Sequence, residues 1–167
     1  AADFFRSGIK LSAISTPLGR SLRHKFGTVL YLTGDVDGAM EQFTAIVNAA
    51  KSSGGDESTA RAHYSIGVIM ASRDRVDDAI THLNAAIEQS PTYGEAHQAL
   101  GDMLRRVHRD EMALTHYREA LAINPKSAES RFGYAMALVR LRRYREARDW
   151  VTDAMQRHPD RSEFKHA

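Results

Sequence analysis

The chain has 167 residues, with 23 Lys and Arg against 21 Asp and Glu, eight histidines and no cysteine. That length suffices for a single domain with a core, and the formal charge of +2 gives no argument for a nucleic-acid partner. Disulfides and thiolate metal sites are excluded, and no run approaches the ~18 apolar residues needed to span a bilayer, so membrane insertion is not expected. The absence of cysteine leaves both cytoplasm and periplasm open, with the cytoplasm as the first reading.

In chain order, residues 1–15 read as the end of a helix and a linker. Phe5-Arg6-Ser7-Gly8-Ile9-Lys10-Leu11 aligns with Tyr117-Arg118-Glu119-Ala120-Leu121-Ala122-Ile123, so the chain is expected to open inside a helix pair that starts upstream, as part of a longer polypeptide. Thr16 as cap and Pro17 as first helical residue start the next helix, because proline lacks only an N–H that would be unpaired there. It carries Phe26, Gly27 and Leu30; Gly34-Asp35 turns the chain, and Ala39, Phe43 and Ile46 mark a partner helix over 36–50. Residues 51–59, rich in Ser, Gly and acidic side chains, predict an exposed flexible insertion. Gly54-Gly55 lacks the Gly-Lys-Ser/Thr that completes a phosphate loop, so no nucleotide is expected there.

From Ala60 the pattern settles into a 34-residue period. The stretch 94–126 shows it best. Ala96, Leu100, Met103, Leu104 and Val107 share one face of a first helix, and Met112, Ala113, Tyr117, Ala120, Leu121 and Ile123 share one face of a second. A polar break at His108 to Asp110 separates them, Asn124-Pro125 stops the pair, and Thr92 with Glu95 has the form of a capping box. Gly67, Gly101 and Ala135 recur in register, as do Ala79, Ala113 and Ala147, Ala86, Ala120 and Ala154, and Pro91, Pro125 and Pro159. A small residue in each first helix facing an alanine of the second predicts close backbone approach, with Leu83, Tyr117 and Val151 filling the space beside it.

These positions resemble the tetratricopeptide repeat (TPR). The resemblance implies an all-α fold, an α-solenoid of antiparallel helix pairs wound as a right-handed superhelix. Repeats would span 16–50, 60–93, 94–127 and 128–161, and Ser162, Glu163 and Phe164 would open a further helix over 162–167. It also implies a concave surface lined by the first helix of each repeat. By position this surface takes His24, Thr28 and Tyr31, then Arg61, Tyr64 and Val68, then Gln98, Asp102 and Arg105, then Phe132 and Met136. The function it implies is a scaffold binding a peptide or protein in that groove, without catalytic residues, cofactor or metal. Two alternatives stand beside it: the substrate-presenting arm of an enzyme whose catalytic domain lies elsewhere, and self-assembly into homo-oligomers.

Co-chaperone members of the family grip a C-terminal carboxylate with Lys, Asn and Arg. The matching positions here hold His24, Thr28, Ser65, Glu95 and Ala99, or one repeat later Tyr64, Val68, Ala99, Glu129 and Gly133, and neither frame builds that clamp. His63 and His97, like His82 and His116, are 34 residues apart. They are expected to replace the large aromatic usual at those positions, as Trp150 does in the last repeat, rather than to bind metal. Asp102 with Arg105 and Arg106 reads as an intrahelical ion pair. Arg140, Arg142, Arg143, Arg145 and Arg148, interleaved with Glu146, Asp149 and Asp153, read as a solvated face.

Overall fold

The structure is a computed structural model that describes residues 13–157, with side chains throughout that range except at positions 154, 155 and 157. The expectations for residues 5–11, Pro159 and 162–167 lie outside it. Among the described residues there are eight helices and no strand: α1 Pro17–Leu32, α2 Val36–Ser53, α3 Glu57–Ser72, α4 Val76–Gln89, α5 Gly94–Arg106, α6 Asp110–Ile123, α7 Ala128–Arg140 and α8 Tyr144–Arg157. The architecture is an all-α solenoid of helix pairs. The helices gather into two compact units, one ending at Pro91 and the other starting at Thr92.

Local chemistry sets the helix ends. Thr16 accepts from the Gly19 N–H ahead of Pro17, and Asp35 accepts from the Gly38 N–H at 2.9 Å. The turn inside each pair places one residue in the left-handed region: Gly34, Asp74, His108 and Arg142, at φ 90°, 59°, 61° and 60°. Only the first is glycine, so the other three hold a conformation disfavoured by their Cβ. The capping box expected at Thr92 and Glu95 is not formed. α5 starts from Tyr93 with no side-chain cap, its first turn closed by the Tyr93 carbonyl. A capping box forms instead at Asp56 and Thr59.

That box lies within the segment expected to be a flexible insertion. α2 runs on through Ser53, and only Gly54, Gly55 and Asp56 connect it to α3. The connection is tied down by Arg20, just 3% exposed, whose guanidinium meets the Asp56 carboxylate at 3.0 Å, the Ser53 hydroxyl at 2.9 Å and the Ser15 carbonyl at 2.8 Å. A buried guanidinium needs all of these acceptors, and the end of α2 and the connection supply two of them.

In the first unit α1 packs on α2, α2 on α3 and α3 on α4, and α1 also touches α3; the second unit repeats this with α5 to α8. The close approach sits slightly differently from the sequence expectation. A Cβ at Gly27 would lie 2.7 Å from the Phe43 ring, at Gly67 3.0 Å from Leu83, and at Gly101 2.9 Å from Tyr117. Each glycine therefore faces the large side chain of the second helix, and a Cβ at Gly67 would also lie 3.4 Å from the Ala79 carbonyl. Tyr117 is fully buried. Met112 and Ile123, expected in the core, are 51% and 41% exposed, while Leu114 is 1% exposed. With α7 packed against α6, the apolar face of α6 turns toward Leu114.

Candidate functional site

In the first unit the sequence-derived positions converge. Thr28 and Tyr31 of α1, Phe43 of α2, and Tyr64, Ser65, Val68 and Ile69 of α3 line one open cleft of about 140 Å³. Four of the six expected residues are present: Thr28, Tyr31, Tyr64 and Val68. The shared face follows from helix geometry, since Thr28 and Tyr31 are three apart on α1 and Tyr64 and Val68 four apart on α3. Phe43, Ser65 and Ile69 were missed as lining. Ser65 and Ile69 each follow an expected residue by one position, and Phe43 was legible only as a core residue of the second helix.

His24 and Arg61 stand apart from the cleft. The His24 ring packs on Phe43, with centroids 5.2 Å apart, and its Nε2 lies 3.3 Å from the Ser65 hydroxyl. Burial lowers its pKa, a hydrogen bond donated to the Arg61 backbone raises it, and the Arg61 charge lowers it again, leaving a net depression. The ring is thus neutral near pH 7 and joins α1 to α3. Arg61 is held at 2.5 Å by Glu57, one turn earlier, in a solvent-facing ion pair.

In the second unit the expected positions separate. Gln98 lines a small cleft with Glu95, Asn124, Ser127 and Ser130, its Oε1 3.4 Å from the Ser130 hydroxyl. Met136 lines a wider opening of about 500 Å³ with Val139, Tyr144, Ala147, Val151 and Thr152. Phe132 packs against Ala128. Asp102 was read as the partner of Arg105 and Arg106, but its carboxylate accepts the Tyr117 hydroxyl of the facing helix at 2.6 Å. Burial raises the Asp102 pKa, and the Tyr117 bond, the Arg105 charge and Gln98 only partly counter it. Arg105 keeps its Nε buried without a hydrogen-bond partner.

The expected aromatic replacement by histidine takes a specific form: His63 and His82 meet Nδ1 to Nδ1 at 3.0 Å, and His97 and His116 at 3.2 Å. Three of the C-terminal arginines meet acids. Arg140 meets Asp110 at 3.2 Å, Arg143 meets Glu146 at 2.8 Å and Arg148 meets Asp149 at 3.1 Å. Among the described residues no three His, Asp or Glu side chains gather as a metal site, and no helix is long and apolar enough to cross a membrane.

Two family models, both described as tetratricopeptide repeat, match residues 24–94 and 111–167. No curated protein sequence matches the chain. Among solved structures, a crystal structure of MamA superposes with a TM-score of 0.76 at 19% identity, over 97% of this chain and 89% of that one. YrrB, described as a TPR protein with an unusual peptide-binding site, superposes at 0.74 and 17% identity, over 99% and 80%. The first TPR of Spaghetti (RPAP3), bound to the HSP90 peptide SRMEEVD, gives 0.64 and 16% identity, over 66% and 87%. At these identities the likeness is one of fold.

Proposed function

The chain belongs to the tetratricopeptide repeat family, and on that premise we propose that it is a protein-interaction scaffold whose first-unit cleft seats an apolar side chain of a bound peptide or protein. The observation that carries this is the convergence of Thr28, Tyr31, Phe43, Tyr64, Ser65 and Val68 on one opening. Its volume of about 140 Å³ is close to the roughly 150 Å³ of an engineered apolar cavity that binds benzene. Tyrosines at its edge are the residue type enriched among binding anchors. In the second unit Gln98 and Asp102 are engaged with Ser130 and Tyr117, and Arg105, Phe132 and Met136 are the positions proposed for partner contact there.

The repeat limits 16–50, 60–93, 94–127 and 128–161 belong to the same proposal. The recurrence of Phe43, Leu83 and Tyr117 against Gly27, Gly67 and Gly101 supports them.

The test is to pan a displayed random peptide library on the protein and measure the affinity of the enriched peptides. They should share a large apolar residue. Val68→Arg should weaken binding by more than about 2 kcal/mol, the level of an interface hot spot. The solvent-facing pair Arg75 and Asp78, joined at 2.6 Å, serves as control when both become Ala. Full affinity in Val68→Arg, or loss only in the control, would place the binding surface elsewhere.

A further inference from the structure

The histidine pairs occupy one register of the solenoid. In successive helix pairs the facing positions are Arg23 and Gln42, His63 and His82, His97 and His116, and Arg131 and Trp150. Each couple is joined: Arg23 donates to Gln42 at 2.7 Å, and the Arg131 guanidinium lies 5.7 Å from the Trp150 ring centre. In the two imidazole couples the ring centroids are 5.2 and 5.5 Å apart and the nitrogens 3.0 and 3.2 Å, differences of 2.2 and 2.3 Å. Those differences match the width across an imidazole ring, so the two nitrogens lie on the line joining the rings. A metal shared by both nitrogens would sit off that line. The geometry is that of a direct N–H···N hydrogen bond.

A neutral imidazole has one N–H and one lone pair. Each pair therefore needs opposite tautomers, one ring protonated on Nδ1 and its neighbour on Nε2. One added proton goes to the unprotonated Nε2 of the donor ring and keeps the bond. A second must go to the acceptor Nδ1, where it sets two N–H groups head to head and two cations side by side. We propose that the two histidine pairs are acid-sensitive latches: each holds its helix hairpin, α3 with α4 and α5 with α6, through one shared proton, and double protonation releases it.

The surroundings act in the same direction. Burial disfavours the charged form of His63, His82 and His116, and the charges of His82 and Lys51 on α2 push His63 further, down to about 4. Asp78 on α4 and Glu119 on α6 favour charge on His82 and His116 but do not overcome burial. The charges brought by neighbouring helices are themselves engaged. On α1, Arg20 is held by Asp56 and Arg23 by Gln42, and on α7 Arg131 is held by Asp153. A histidine depressed in the folded state takes up protons on unfolding. Its stabilisation is complete above the ordinary value of 6.5 and is lost as pH falls toward 4.

Two measurements test the latch. Long-range proton–nitrogen NMR at pH 7.5 should show one Nδ1–H tautomer in each pair, and four Nε2–H tautomers would overturn the proposal. Urea unfolding between pH 7.5 and 5.0 should then compare wild type with a variant whose pairs copy Arg23 and Gln42: His63→Arg, His82→Gln, His97→Arg and His116→Gln. Wild type should lose about tenfold more in its folding equilibrium constant than the variant, a figure reduced for half-exposed rings. Equal loss in both proteins would overturn the proposal, since the remaining histidines are common to both. If the Arg–Gln variant does not fold, the Arg131 and Trp150 couple provides a second non-titrating pattern, with His82→Trp and His116→Trp beside the same arginines.

Discussion

Gly133→Ala tests the packing of the second unit at its tightest point. A Cβ at Gly133 of α7 would lie 2.5 Å from Cε1 and Cζ of Tyr117 and 2.7 Å from its hydroxyl. The ring cannot freely retreat, because it also packs on Gly101 of α5, where a Cβ would lie 2.9 Å from the same Cε1. Nor can it tilt freely, because its hydroxyl is bonded to Asp102 at 2.6 Å. Overpacking of this kind costs about 3 kcal/mol at the upper end of the usual range. Displacing the hydroxyl from a half-buried carboxylate adds about 1 kcal/mol, and the better helix propensity of alanine returns about 1 kcal/mol. The net destabilisation is about 3 kcal/mol, which corresponds to a fall in Tm of about 6–12 °C for a chain of this size. Urea and thermal unfolding followed by circular dichroism at 222 nm will measure it. Tyr117→Leu, which copies Leu83 against Gly67, should recover part of the loss when combined with Gly133→Ala, because the two substitutions share one contact. A Gly133→Ala protein as stable as wild type would show that the Tyr117 ring does not lie against Gly133.

Three further outcomes follow from the same contacts. Asp56→Ala removes both the carboxylate of a buried arginine and a helix cap, so it should cost about 3–5 kcal/mol in urea unfolding. Burial alone would raise the Asp56 pKa, but the Arg20 and Thr59 bonds lower it below its ordinary 3.8; its stabilisation is therefore complete above that value and lost as pH falls further. Asp102→Asn should be neutral to stabilising at pH 7, because burial raises the carboxyl pKa, and the advantage should disappear in unfolding curves taken below pH 3.8, where wild type is protonated in both states. Leu114→Ala should cost about 2–5 kcal/mol, whereas Met112→Ala, at a position 51% exposed, should change stability by no more than about 0.5 kcal/mol; equal losses would mean that α6 buries the other face.

Helix identity and pairing were legible in the sequence because both are local. Apolar spacing, Thr16-Pro17, Gly34-Asp35 and Asn124-Pro125 act within a turn or two of where they stand, and the recurrence of Gly67 and Gly101 marked close approach between adjacent helices. The first-unit cleft was partly legible for the same reason, since Thr28 with Tyr31 and Tyr64 with Val68 each share a helix face. What remained depends on partners distant in the chain. Nothing local in the sequence marks Arg20, which is met by Asp56, 36 positions on, and that contact ties down the Ser-Gly segment expected to be flexible. Asp102 suits an ion pair with its own helix neighbours, yet its carboxylate also accepts the Tyr117 hydroxyl, because a buried hydroxyl requires an acceptor. Sequence spacing placed His63 and His82 at repeating positions, and His97 and His116 likewise. Only the packing of one helix against the next brought their Nδ1 atoms within hydrogen-bond reach and made each pair share a proton.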